Sequence, residues 1–288
     1  MFKLPNIHGT IVSKEIEDII YFSCDYDYFD RHGYALSQSI NRTQSWLHVH
    51  CHIVNEGNIN HNVLDDLSQK FNFTYTWENI DKDFYKNLPK NSKKMKDGVE
   101  IFKTNDFDYI ARRTYLASAR FMRLPQLFQH GSQYVLQLDC DTVLKNGFHK
   151  SVFRDLAKHV GVMPKPKDPY VFIASAVTLG TGNEGLEFRD LFSRRMIEGF
   201  QSGCYWFIDQ DVLRDVITEW VTVNEKQYNP IPYKWNSWGL KRDDIFSTGK
   251  GGKKNDKRYK SAQLPWLPPH WRTKIETEIR NINLGKKK

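Results

Sequence analysis

The pattern that most constrains this chain lies between residues 17 and 77. Residues 17–23 form a short apolar run that breaks into the polar stretch Cys24-Asp25-Tyr26-Asp27. Residues 33–44 have helical spacing, and residues 46–54 alternate. Residues 61–71 place Val63, Leu64, Leu67 and Phe71 on one helical face, and residues 73–77 read as a third strand. Apolar runs separated by amphipathic helices read as βαβαβ, and crossover helices make the strands parallel. The expected fold class is therefore α/β with a mostly parallel central sheet. Such sheets collect ligands at the carboxyl ends of their strands.

Farther along, residues 109–128 carry the longest helical pattern, interrupted late by Pro125. Residues 134–138 read as a buried strand running into Asp139-Cys140-Asp141. Residues 171–179 have strand character and 185–200 are helical. Residues 205–208 lead into Asp209-Gln210-Asp211 and a helix that reaches Trp220. After Asn224, proline, tryptophan, lysine and glycine dominate and regular elements fade. The expected organisation is a catalytic domain over residues 1–225 and a basic, aromatic extension over 226–288 that completes the site.

Composition narrows the function class. Hydrophobic residues are 40% of the 288, as in ordinary globular proteins. Four cysteines cannot staple a fold of this size. No run approaches the roughly 18 apolar residues of a membrane helix. A net charge of +8 points to a polyanionic partner: nucleic acid, acidic lipid or a phosphate-bearing small molecule. Cys24, Cys51, Cys140 and Cys204 lack zinc-ligand spacing. The segment His48-Val-His50-Cys51-His52 alternates as a strand does, which puts adjacent residues on opposite faces and argues against a zinc site. The N-terminus has no apolar signal segment, so the expected compartment is the cytoplasm.

Five local signals carry chemistry. Asp139 and Asp141 follow an apolar strand, where paired carboxylates reach a hard divalent cation that bridges diphosphate oxygens. Asp209, Gln210 and Asp211 open a helix; the same acids also suit an ordinary helix N-terminus. Ser23, Asp25 and Tyr28 follow the first strand, where a carboxylate takes ribose hydroxyls or a base N–H and a tyrosine stacks on the base. Arg113 and Arg120 lie two helical turns apart and suit a diphosphate or sugar hydroxyls. Lys250 and Lys253 lie among glycines in residues 247–254, without the spacing of a Walker A loop.

In order, these residues resemble the retaining glycosyltransferases of family eight, the group that includes bacterial lipopolysaccharide galactosyltransferases and glycogenin. The most specific stretch is Ala117-Ser-Ala-Arg120-Phe-Met-Arg-Leu-Pro125, followed by Tyr134-Val-Leu-Gln-Leu-Asp139-Cys-Asp141. Asp209-Gln210 matches the family's Asp-Gln motif, and the likeness covers roughly residues 17 to 260. Two elements depart. The family's His-x-x-Gly-x-x-Lys motif has only Phe246-Ser-Thr-Gly249-Lys250-Gly251-Gly252-Lys253 opposite it, without a histidine. The family's Asn-Ser-Gly strand is replaced by Ile173-Ala174-Ser175-Ala176.

The resemblance implies a GT-A fold, a nucleotide-sugar donor (most often a UDP-hexose) and retention at the anomeric carbon. It implies Mn²⁺ or Mg²⁺ on Asp139 and Asp141, with a third ligand from Ser247, Thr248, Asp244 or water. Ser23, Asp25 and Tyr28 would hold the nucleoside. Arg113 and Arg120 would touch the diphosphate or sugar, and Lys250 or Lys253 the leaving diphosphate. Asp209 and Gln210 would stand at the anomeric carbon. The acceptor is a saccharide, a lipid-linked sugar or a protein, and the basic, aromatic tail suits contact with an acidic membrane. Two competing readings are a nucleic-acid-binding protein and a nucleotidyltransferase on a related sheet. Against the first, no helix-turn-helix, RRM or zinc-finger pattern is present.

Overall fold

The computed structural model describes residues 3–81, 83–89, 95–96, 99–100, 107–166, 168–205, 207–249 and 251–284. Its strands are β1 (Ile7–Gly9), β2 (Asp18–Asp25), β3 (His48–Asn55), β4 (Phe73–Asn79), β5 (Met95–Lys96), β6 (Val99–Glu100), β7 (Tyr134–Leu138), β8 (Thr142–Leu144), β9 (Val160–Lys165), β10 (Asp168–Leu179), β11 (Asn229–Pro230) and β12 (Phe246–Thr248). Its α-helices are α1 (Tyr26–Tyr28), α2 (Tyr34–Thr43), α3 (His61–Lys70), α4 (Phe107–Met122), α5 (Leu124–Leu127), α6 (Lys150–Ala157), α7 (Gly182–Ser202), α8 (Ile208–Thr222), α9 (Lys257–Gln263) and α10 (Pro269–Asn283).

Eight strands form the central sheet, in the order β1-β4-β3-β2-β7-β10-β9-β11. β4, β3, β2 and β7 are mutually parallel, and β11 is parallel to β9. β1 pairs antiparallel with β4, and β10 with both β7 and β9. The βαβαβ expectation is thus met by β2, β3 and β4 with α2 and α3 between them. β2 is buried along its whole length, and its alternation feeds two cores: Ile19 and Tyr21 join one, Ile20 and Phe22 the other. The first core packs α4, α7 and α8 on one face of the sheet. The second lies on the other face with α2, α3 and α6.

The histidines of β3 belong to this interior. His48 and His50 bond Thr74, and His50 and His52 bond Thr76, across the β3–β4 pair. Burial pushes the His48 imidazole down to about 4 and those of His50 and His52 well below their ordinary value.

Elements absent from the sequence expectation have local causes. β9 carries Gly161 and Pro164, both poor strand formers, and is held by pairing with β10. A Cβ at Gly161 would lie 2.3 Å from the Thr178 hydroxyl, so that position needs glycine for the strands to approach. Past residue 224, where regular elements are expected to fade, the chain instead holds β11, β12, α9 and α10. Asp256 caps α9 by accepting the Arg258 N–H. In α10, Trp271, Ile275 and Ile279 recur every four residues against Leu267 and Ala35, so its aromatic residue packs on the chain itself. Among the described residues, no helix is long and apolar enough to cross a membrane.

Candidate functional site

Parallel strands deliver their carboxyl ends to one side, so the residues after β2 and β7 converge. They open into a cleft of about 410 Å³. Asp25 ends β2, and Asp139-Cys140-Asp141 follows β7. α4 forms the facing wall through a helical stripe that includes Arg112, Leu116 and Arg120. The start of α8 adds Asp209 and Gln210, and the turn before α9 adds Gly251 and Lys254. Phe207, just before α8, has φ +73°, and Gly251 has φ +58°. Such left-handed backbone costs a non-glycine residue roughly 1–2 kcal/mol, so the packing around Phe207 must hold that turn at the cleft wall.

Arg120 is the buried cation of the site, 6% exposed. It donates through Nη1 to Asp139 and pairs through Nη2 with Asp209 at 3.4 Å. Burial opposes its charge, but the two carboxylates hold its pKa above the ordinary value. One guanidinium therefore ties the strand-end carboxylate to the one opening α8.

Asp141 is surrounded by donors. Tyr28 donates its hydroxyl to Oδ2 at 2.9 Å and Thr248 to Oδ1 at 3.2 Å. The Lys254 ammonium lies 2.9 Å from Oδ2 and also donates to the Tyr28 hydroxyl. Burial would raise the Asp141 pKa. The Lys254 charge and the hydrogen bonds from Lys254 and Tyr28 outweigh it and hold the carboxyl below its usual range. The loop is placed by β12, which pairs with β8, and by the Gly249 N–H on the Asp141 carbonyl at 2.8 Å.

At the other end, Asp25 accepts the Tyr28 N–H at 2.7 Å and Arg112 Nη2 at 2.8 Å. Arg112 also makes a two-pronged pair with Glu56, at 2.7 and 2.6 Å, and Tyr85 donates to Glu56 at 2.7 Å. Burial raises the Asp25 pKa, offset in part by the Tyr28 N–H and by Arg112.

Ser23, Asp25, Tyr28, Arg113, Arg120, Asp139, Asp141, Asp209 and Gln210 all line this one cleft. Arg113 is exposed and leans on Tyr109. Asp211 bonds Tyr205 and Arg214 instead. One expectation for the lysines changes. Lys253 does not reach the cleft; it lines a neighbouring surface groove with Trp238, and Lys254 takes the place expected of it. Lys250 lies outside the described residues. The signal for Lys254 is present in the sequence: Thr248, Gly251 and Lys254 have the spacing of His-x-x-Gly-x-x-Lys with threonine in the histidine's position. Arg112 had no such signal, since it differs from Arg113 only by one step around the helix.

The donor set suits a hard divalent cation. Asp139, Asp141 and the Thr248 hydroxyl offer only oxygen, and Mg²⁺ or Mn²⁺ held by two carboxylates takes its other ligands from water and phosphate. Among the described residues no three of His, Cys, Asp and Glu are grouped to hold a metal, so the two carboxylates would depend on those outside oxygens.

No family model matches the sequence, and no curated protein matches it. Solved structures do match in fold. The WbbM bifunctional glycosyltransferase aligns over 92% of this chain and 52% of its own, with 15% identity and TM-score 0.57. The glycosyltransferase GlyE of Streptococcus pneumoniae TIGR4 aligns over 91% and 63%, with 14% identity and TM-score 0.51. The galactosyltransferase LgtC, solved in complex with donor and acceptor sugar analogs, aligns over 89% and 99%, with 14% identity and TM-score 0.50. The chain thus spans about half of WbbM and under two thirds of GlyE. At these identities the likeness is one of fold.

Proposed function

We propose that this chain, which has the GT-A fold of its structural neighbours, is itself a glycosyltransferase moving a hexose from a nucleoside-diphosphate sugar, a UDP-sugar, to an acceptor with retention at the anomeric carbon. One observation carries this reading: a single cleft brings the carboxylates after β7 beside two cations, Arg120 and Lys254, and faces them with Asp209 and Gln210. The sugar analogs bound by LgtC, a structural neighbour, support it.

The chemistry follows from the leaving group. A nucleoside diphosphate departs slowly unless its growing negative charge is met in place. A divalent cation, Mn²⁺ or Mg²⁺, held by Asp139 and Asp141 would supply Lewis acidity to the diphosphate oxygens. Lys254 adds a point charge on the same side, and Arg120 adds a second. Both are positioned before the bond breaks, which is the condition for electrostatic stabilisation of the transition state. Asp25 holds the nucleoside, with Ser23 and Tyr28 beside it. The anomeric carbon gains positive charge as the diphosphate leaves. Asp209 is paired with Arg120, which leaves the carbonyl oxygen of Gln210 as the uncharged partner for that carbon.

The test is product analysis with UDP-hexoses and Mn²⁺. Release of UDP, and an α-linked product from an α-linked donor by NMR, supports the reading. Pyrophosphate release would make the chain a nucleotidyltransferase, and an inverted product would remove retention.

A further inference from the structure

We infer that Lys254 is the counter-ion a metal must displace from Asp141, so that metal and nucleoside diphosphate bind this chain as a cooperative pair. The inference rests on the donor reading above and goes beyond it, because it assigns Lys254 a role before metal binds that is opposite in sign to its role in the loaded site.

The geometry is specific. Asp141 is 7% exposed, and its Oδ2 already receives Tyr28 and Lys254, each at 2.9 Å. The Lys254 ammonium also sits over the Tyr28 ring, 4.6 Å from its centroid. A divalent cation on Asp141 needs that same carboxylate and cannot share a buried oxygen with an ammonium without like-charge repulsion. The lysine must therefore leave. Its loop permits this: Gly251, at φ +58°, and exposed Gly252 precede it, and no Cβ neighbour crowds either glycine. With metal alone, the Lys254 ammonium would be left in the cleft without its carboxylate partner. With a diphosphate present, the ejected ammonium gains phosphate oxygens as partners. Each ligand thus removes a cost the other would bear, and the coupling is reciprocal.

The consequence is a reversal that a merely phosphate-binding lysine would not give. Lys254→Met keeps most of the length of the side chain and removes its charge. It should bind Mn²⁺ alone about tenfold more tightly than the wild type, the scale of one charge-assisted contact that no longer has to be broken. It should also bind UDP in the presence of Mn²⁺ more weakly than the wild type. Lys253→Met removes the same net charge from the neighbouring groove and should shift neither.

The experiment is a titration of free Mn²⁺ by electron paramagnetic resonance, with and without UDP, on wild type, Lys254→Met and Lys253→Met. All three proteins are checked for the same folded circular dichroism. Tighter Mn²⁺ alone with weaker UDP in Lys254→Met supports the inference. Unchanged or weaker Mn²⁺ alone in Lys254→Met, while wild type still binds UDP with Mn²⁺, overturns it and leaves the glycosyltransferase reading standing. Equal tightening in Lys253→Met also overturns it, as a general charge effect. Failure of wild type to bind UDP under any condition removes both readings together.

Discussion

Four histidines, His32, His48, His50 and His52, are buried in the folded chain, and burial keeps each imidazole neutral. Their ordinary value is 6.5; in the fold His32 falls to about 3, His48 to about 4, and His50 and His52 well below the ordinary value. Below pH 6.5 the unfolded chain binds protons that the folded chain does not, so stability rises with pH there. The contribution is complete above about pH 6.5 and is lost as pH falls, down to about 4 for His48 and about 3 for His32. At pH 5.5, one unit below the unfolded value, each neutral histidine costs on the order of 1 kcal/mol, and the four together cost several kcal/mol. That is a large share of the roughly 5–15 kcal/mol of a typical domain. Urea unfolding followed by circular dichroism at pH 7.5, 6.5 and 5.5 measures it directly. The expected loss is steep, corresponding to three to four protons taken up on unfolding near pH 5.5. An unfolding midpoint that stays constant from pH 7.5 to 5.5 would refute the burial argument.

Three further outcomes follow. Glu78 and Arg123 form an ion pair with both side chains fully buried, and Tyr115 also donates to Glu78 at 2.8 Å. Glu78→Ala should destabilise by about 3–5 kcal/mol in urea unfolding, because it strands a buried guanidinium. Arg112→Met removes the cation shared by Asp25 and Glu56 and should weaken UDP binding by about tenfold in calorimetry, with Mn²⁺ binding unchanged. Arg120→Met leaves Asp139 and Asp209 facing each other without their common cation. It should lower turnover by about 100-fold or more while the protein remains folded, as read from UDP release and circular dichroism.

Much of the fold was legible because periodicity reports burial. The runs around Ile20, Val49 and Tyr75 are strands of the parallel sheet, and the pattern ending at Leu138 has the bounds of β7. β9 was silent because Gly161 and Pro164 carry no strand propensity, and its partner β10 supplies what the segment lacks. α10 was hidden by its charges, although Trp271, Ile275 and Ile279 mark its buried stripe. In the cleft, the strand-end carboxylates and Arg120 were legible because their chemistry is unusual at a strand end and on a helix face. Arg112 was not singled out, because which of two adjacent arginines enters a cleft depends on the angular phase of α4, and Lys254 was passed over because threonine stands in the histidine's position of its spacing motif. Phase is set by packing, not by composition.

The most direct test of the central claim is thermal melting with UDP and Mn²⁺, singly and together, on wild type and on the double variant Asp139→Ala/Asp141→Ala. A ligand that binds only the folded chain raises its melting temperature. The account predicts a rise that is largest with UDP and Mn²⁺ together and absent in the double variant. A wild type whose melting temperature responds to no nucleoside diphosphate, with or without metal, would contradict it.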